Sequence, residues 1–122
     1  MAVVPLKRYG LNQIRDTGTP MIRHIVMWRL KDTPNKAANA VRIKQLLESL
    51  RDRIPGLLKI EVGIDFSGID YSSDVVLLSE FTDAAALETY QKHPLHVQMK
   101  PEIGNMTAER RVVDHMIDAP QG

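Results

Sequence analysis

From residue 21 onward the chain moves between two rhythms, and each predicts an element. Over 22–30, Ile22, His24, Val26, Trp28 and Leu30 share one side of a two-residue repeat, with Arg23, Ile25, Met27 and Arg29 on the other. That is a strand with apolar side chains on both faces. Thr33-Pro34 reads as a helix start, a hydroxyl cap followed by a proline suited to the first turn. Ala40, Ile43, Leu47, Leu50 and Ile54, widened by Val41 and Leu46, keep helical spacing until Pro55-Gly56 stops it. Leu58, Ile60, Val62, Ile64 and Phe66 then alternate with Lys59, Glu61, Gly63 and Asp65, predicting a strand over 58–66 with one buried face. After a polar connection at 67–73, Val75 to Phe81 is apolar on both sides and predicts a central strand. Thr82-Asp83 caps a helix carrying Ala84, Leu87 and Tyr90. Ala108 to Ile117 predicts the last strand.

Between that helix and that strand lies the stretch with chemical content, Tyr90-Gln91-Lys92-His93-Pro94-Leu95-His96. Pro94 lacks an N–H and clashes with the preceding turn, so the helix is expected to end near Lys92. Proline also suits the first position of a new helix, which places His93 at a corner and His96 in the first turn of a short second helix. The positive end of that helix disfavours imidazolium, so a neutral His96 ring beside the Tyr90 phenol is a candidate proton-handling pair.

The order strand, helix, strand, strand, helix, strand is an α+β plan: a ferredoxin-like βαββαβ unit with a four-stranded antiparallel sheet. Right-handed crossovers put the helices on one face. The other face, with Ile25, Met27 and the doubly apolar strand 75–81, is too apolar to stay bare on a monomer. Two sheets stacked face to face would cover it, so a homodimer is expected.

Composition narrows the field. The chain has 122 residues, 43% of them apolar, a formal charge of +1 and no cysteine. This fits one globular domain and argues against nucleic-acid binding, membrane spanning, disulfides and thiol chemistry. A reducing, cytoplasmic setting is the expectation. Residues 1–20 differ from the rest, with Lys7, Arg8 and Arg15 against Asp16 alone, and read as an arm preceding a domain at 21–122. Such an arm is ordered when it lies against something, a partner subunit included.

Several segments together resemble the stress-responsive A/B barrel family, known as Dabb. They are Ile22-Arg23-His24-Ile25-Val26-Met27-Trp28, Ile54-Pro55-Gly56-Leu57, Ser79-Glu80-Phe81, the Tyr90 to His96 stretch and Arg111-Val112-Val113-Asp114. The resemblance covers about residues 21–117 and implies ferredoxin-like subunits paired into a dimeric α/β barrel. One branch of the family, a plant polyketide cyclase, has the same tyrosine, histidine, proline, histidine spacing. By that likeness His96 would be the general base and Tyr90 would orient a substrate carbonyl. His24 matches a pocket histidine of that branch, and Val75 stands where it has another.

Two functions follow. In the first, the dimer binds a small, largely apolar molecule in a pocket lined by His24, Val26, Trp28, His93 and Val97. There His96 removes a proton next to a carbonyl, Tyr90 holds the enolate oxygen, and no cofactor or metal takes part. In the second, the protein is a non-catalytic, stress-associated structural or interaction module. Tyr90 and the imidazoles then satisfy backbone groups at the proline corner, His93 bonds a local carbonyl, and His24 is a strand-end histidine.

Overall fold

A computed structural model describes residues 20–118. Residues 1–19 of the arm and the last four residues lie outside them. Strands β1 (Met21–Leu30), β2 (Leu57–Ile64), β3 (Val75–Phe81) and β4 (Thr107–Ile117) form one antiparallel sheet in the order β2-β3-β1-β4. Helices α1 (Lys36–Glu48), α2 (Ala84–Lys92) and α3 (Pro94–Met106) lie on one side. This is the ferredoxin-like plan, with β3 central as its apolar composition predicts. Val26, Trp28, Ile60, Val62, Leu77 and Phe81 from the sheet meet Ile43, Leu47 and Leu87 from the helices in a single core.

Four boundaries differ from the sequence expectation. Helix α1 begins after Asn35, not at Pro34, and Asn35 makes no side-chain cap. It ends at Glu48, yet Leu50 and Ile54 are still buried. Tight turns bonding Leu50 N–H to the Leu47 carbonyl and Arg53 N–H to the Leu50 carbonyl replace the last helical turns, and Asp52 takes a left-handed φ of 64°. Strand β2 stops at Ile64 because Asp65 turns the chain. Its carboxylate accepts from Ser67 Oγ, Gly68 N–H and Ser72 Oγ, and Phe66 is left wholly exposed. Helix α3 is thirteen residues long, not short, and carries Pro101 inside it. The carbonyl orphaned by that proline belongs to Val97, on an exposed turn where water can replace the missing donor.

The sheet face away from the helices bears Ile25, Met27, Val76, Leu78 and Val113 in adjacent register. Met27 is 45% and Val113 59% exposed, and an Arg23–Glu80 ion pair at 2.8 Å borders them. Gly56, at φ +83°, lets the chain enter β2 directly against α2, where an added Cβ would lie 2.5 Å from the Ala86 Cβ.

Candidate functional site

The site begins at the elbow between α2 and α3. Asp83 starts α2 by accepting from Ala86 N–H at 2.8 Å. Pro94 pushes its predecessor out of the helical region, and His93 accordingly sits at φ −66°, ψ 135°. His93 closes α2 by donating its N–H to the Tyr90 carbonyl at 3.1 Å. It opens α3 by accepting from Leu95 N–H on its own Nδ1, also at 3.1 Å. One residue therefore joins the helices, with Tyr90 on one side of it and His96 on the other.

Those two rings stack with centroids 4.3 Å apart and planes at 28°. Phe81 packs on Tyr90 at 5.1 Å, and His24 meets it edge-on at 6.2 Å. Tyr90 is wholly buried, and among the described residues its hydroxyl has no hydrogen-bond partner. Burial pushes the phenol well above its usual pKa, with the charge of Arg110 acting against it. His96 is pulled down to about 4, first by burial, while the Gln91 carbonyl opposes that shift and the charges of Lys100, His24 and Arg110 add to it. The ring is thus neutral near pH 7, as the sequence predicts, but burial is the leading cause. The His96 Nδ1–H donates to the Gln91 carbonyl at 3.4 Å, which leaves Nε2 as its acceptor.

Beside the stack, a cleft of about 410 Å³ opens between α3 and the sheet. It exists because no helix crosses β4. Arg110, Val112 and Asp114 share the side of the sheet that faces the helices, since they pair with Trp28, Val26 and His24, yet all three are exposed. His24, Val26, Trp28 and His96 line the cleft, together with Ile103 from α3 and Arg110 from β4. A more open hollow of about 300 Å³, between the end of α1 and α3, touches neither His24 nor His96.

Of the residues singled out from sequence, the structure gathers His24, Val26, Trp28 and His96 around one space. Tyr90 lies behind its wall and does not line it. His93 faces its own cap, and Val97 stands 44% exposed outside the cleft. His24 is not at a strand end: it is buried in the middle of β1. Its Nδ1 lies 2.5 Å from Asp114 Oδ1, so the ring hydrogen on Nδ1 is held by the carboxylate. Asp114, Lys100 and Arg110 were not predicted as site residues. Asp114 becomes visible only when β1 and β4 are set in register, with His24 opposite it. Among the described residues no three His, Asp or Glu side chains gather as a metal ion would require, and no helix is long and apolar enough to cross a membrane.

Comparison with known proteins agrees with this architecture. The Stress responsive A/B Barrel Domain family, Dabb, matches residues 22–117. A dimeric protein of unknown function and ferredoxin-like fold from Bacteroides fragilis NCTC 9343 is 29% identical, with a TM-score of 0.73 over 80% of this chain and 96% of that one. A Dabb family protein from Mesorhizobium loti is 26% identical, with a TM-score of 0.62 over 85% of this chain and all of that one. A hydroxynitrile lyase from Passiflora edulis shares the fold at 15% identity, with a TM-score of 0.64 over 86% of this chain and all of that one. No curated protein matches the sequence. The chain belongs to the stress-responsive A/B barrel domain family.

Proposed function

We propose that this protein is a homodimer, closed through the apolar sheet faces, whose cleft binds a small, largely apolar molecule and moves a proton on it. The observation that carries the reading is the Tyr90 hydroxyl, buried with no partner among the described residues behind a wall that bears His24 and His96. A buried hydroxyl left unbonded costs about 1–3 kcal/mol. A ligand oxygen that reached it would recover that energy, which favours a molecule with an acceptor at that depth.

The chemistry is general acid–base. His96 Nε2 takes a proton from carbon next to a carbonyl and the C–H electron pair moves into the enolate; Tyr90 O–H, behind the cleft wall, donates to the enolate oxygen where the ligand parts that wall. Returning the proton to another atom of the same molecule completes an isomerisation or a ring closure. Neutrality equips His96 to accept, although a pKa near 4 makes it a weak base. The imidazole of His24, oriented by Asp114, stands in the same cleft as the second proton carrier. Support for the dimer comes from the uncovered row of Ile25, Met27, Val76, Leu78 and Val113, and from structural relatives that are themselves dimeric.

A second reading has an observation of its own: with the hydroxyl of Tyr90 sealed off, the stack also works as a purely structural plug in a non-catalytic module. A thermal-shift screen of small carbonyl compounds on wild type and His96→Ala separates the two. The proposal expects compounds that raise the melting temperature of wild type and not of the variant. If nothing stabilises wild type and the substitution only lowers the melting temperature, the structural reading stands. Mass measurement in solution tests the dimer: wild type is expected at twice the chain mass, and a Met27→Glu, Val113→Glu double variant at the chain mass.

A further inference from the structure

We infer that the cleft selects molecules bearing a carboxylate at one end of an apolar body, received at the mouth by Arg110 and Lys100. This deepens the ligand reading above and rests on it. Arg110 enters from β4, opposite Trp28, and Lys100 from α3, so two cations on separate elements line one space. No acidic residue lines it with them. Among the described residues neither cation has a carboxylate partner, a condition they share with Lys31, Arg51 and Arg53 but not with Arg23, Arg29, Lys36, Arg42, Lys44 or Lys92. The nearest acid on this face of β4, Asp114, is already held by His24. Behind the cations the lining turns apolar, with Val26, Trp28, Leu77 and Ile103.

The charge of Arg110 is felt at both rings, restraining the rise at Tyr90 and adding to the fall at His96. A head group at Arg110 would therefore leave the body of the same molecule close to the proton-handling pair. The geometry favours a carboxylate over a phosphate. Ile103 and Gly104 belong to the last turn of a helix that ends at Met106, where the dipole is negative and free N–H donors are absent. A dianion loses most there, while a planar carboxylate matches the guanidinium fork.

Three probes test this by calorimetry: 4-phenylbutanoate, its neutral amide, and 3-phenylpropyl phosphate. Hydrogen bonds to charged groups are strong enough that the acid is expected to bind wild type about tenfold more tightly than the amide. Arg110→Gln and Lys100→Gln are each expected to shrink that ratio, and the double variant to bring it to about one. Both positions are exposed, so folding is not at risk, and circular dichroism confirms it. Equal binding of acid and amide to wild type, a preference that survives in the double variant, or a preference for the phosphate would overturn the inference while leaving the cleft a ligand site. If neither acid nor amide binds, the ligand reading falls with it.

Discussion

The two edge strands of this sheet are treated in opposite ways. Along β2, side chains from the end of α1 reach over and occupy the backbone. Val62 N–H donates to Glu48 Oε2 at 2.9 Å, Lys44 Nζ donates to the Val62 carbonyl at 2.6 Å, and Arg51 donates to the Ile60 carbonyl at 2.7 Å. Lys44 in turn holds Glu48, whose pKa is lowered chiefly by that contact. An open strand edge is a template for pairing with another chain, and here the template is filled. Along β4 every residue from Ala108 to Asp114 is exposed. The same small set of helices cannot cover both sides, and the uncovered side is where the cleft, the His24–Asp114 pair and Arg110 occur. Backbone protection and the open cleft are divided between opposite margins of one sheet.

Substitutions on the two margins should therefore report differently. The largest effect is expected at the entrance to β2: Gly56→Ala combines a left-handed φ with a clash against Ala86 and should cost about 3 kcal/mol, read from urea unfolding. Glu48→Ala removes the acceptor of Val62 N–H and should cost about 1–2 kcal/mol. It should also raise light scattering on standing, and unchanged scattering would show that the filled edge does not protect against association. On the other margin, Tyr90→Phe deletes an unpartnered hydroxyl, so the ligand-free protein should keep its stability or gain about 1 kcal/mol while ligand-induced stabilisation falls.

The smallest effect is a pH slope. The His96 pKa is about 4 folded against 6.5 unfolded, so above 6.5 both states carry a neutral ring. As pH falls from 6.5 towards 4 the unfolded state takes up the proton first, and stability is lost over that window. The ring is only partly buried, so the slope should stay below the roughly 1.4 kcal/mol per pH unit of a fully shifted group. Thermal melts of His96→Gln should lack it.

Much of the fold was legible because strand alternation and the Pro94 corner are local signals. The end of α1 was not, since Leu50 and Ile54 keep helical spacing even where the backbone has turned into tight, three-residue bonds. Phe66 continued the alternation of β2 on paper, but the hydrogen bonds of the Asp65 side chain redirected the chain first. For the site, Tyr90 and His96 were visible as neighbours across an elbow. The depth of Tyr90 was not, because it depends on Phe81 and His24 arriving from other strands. Asp114, Lys100 and Arg110 depend wholly on register and on the absence of a covering helix, neither of which a single chain pattern displays.

His93 has one more implication. Because a single residue finishes α2 and starts α3, the hinge has no slack, and Tyr90 cannot separate from His96 without bending both rods at once. The protein resembles a vice with one fixed jaw: the elbow holds one wall of the cleft, while β4, opposite, carries no covering helix and stands exposed from Ala108 to Asp114. Variation in guest size should therefore be written in β4 and in the outer turns of α3, while the elbow stays the same.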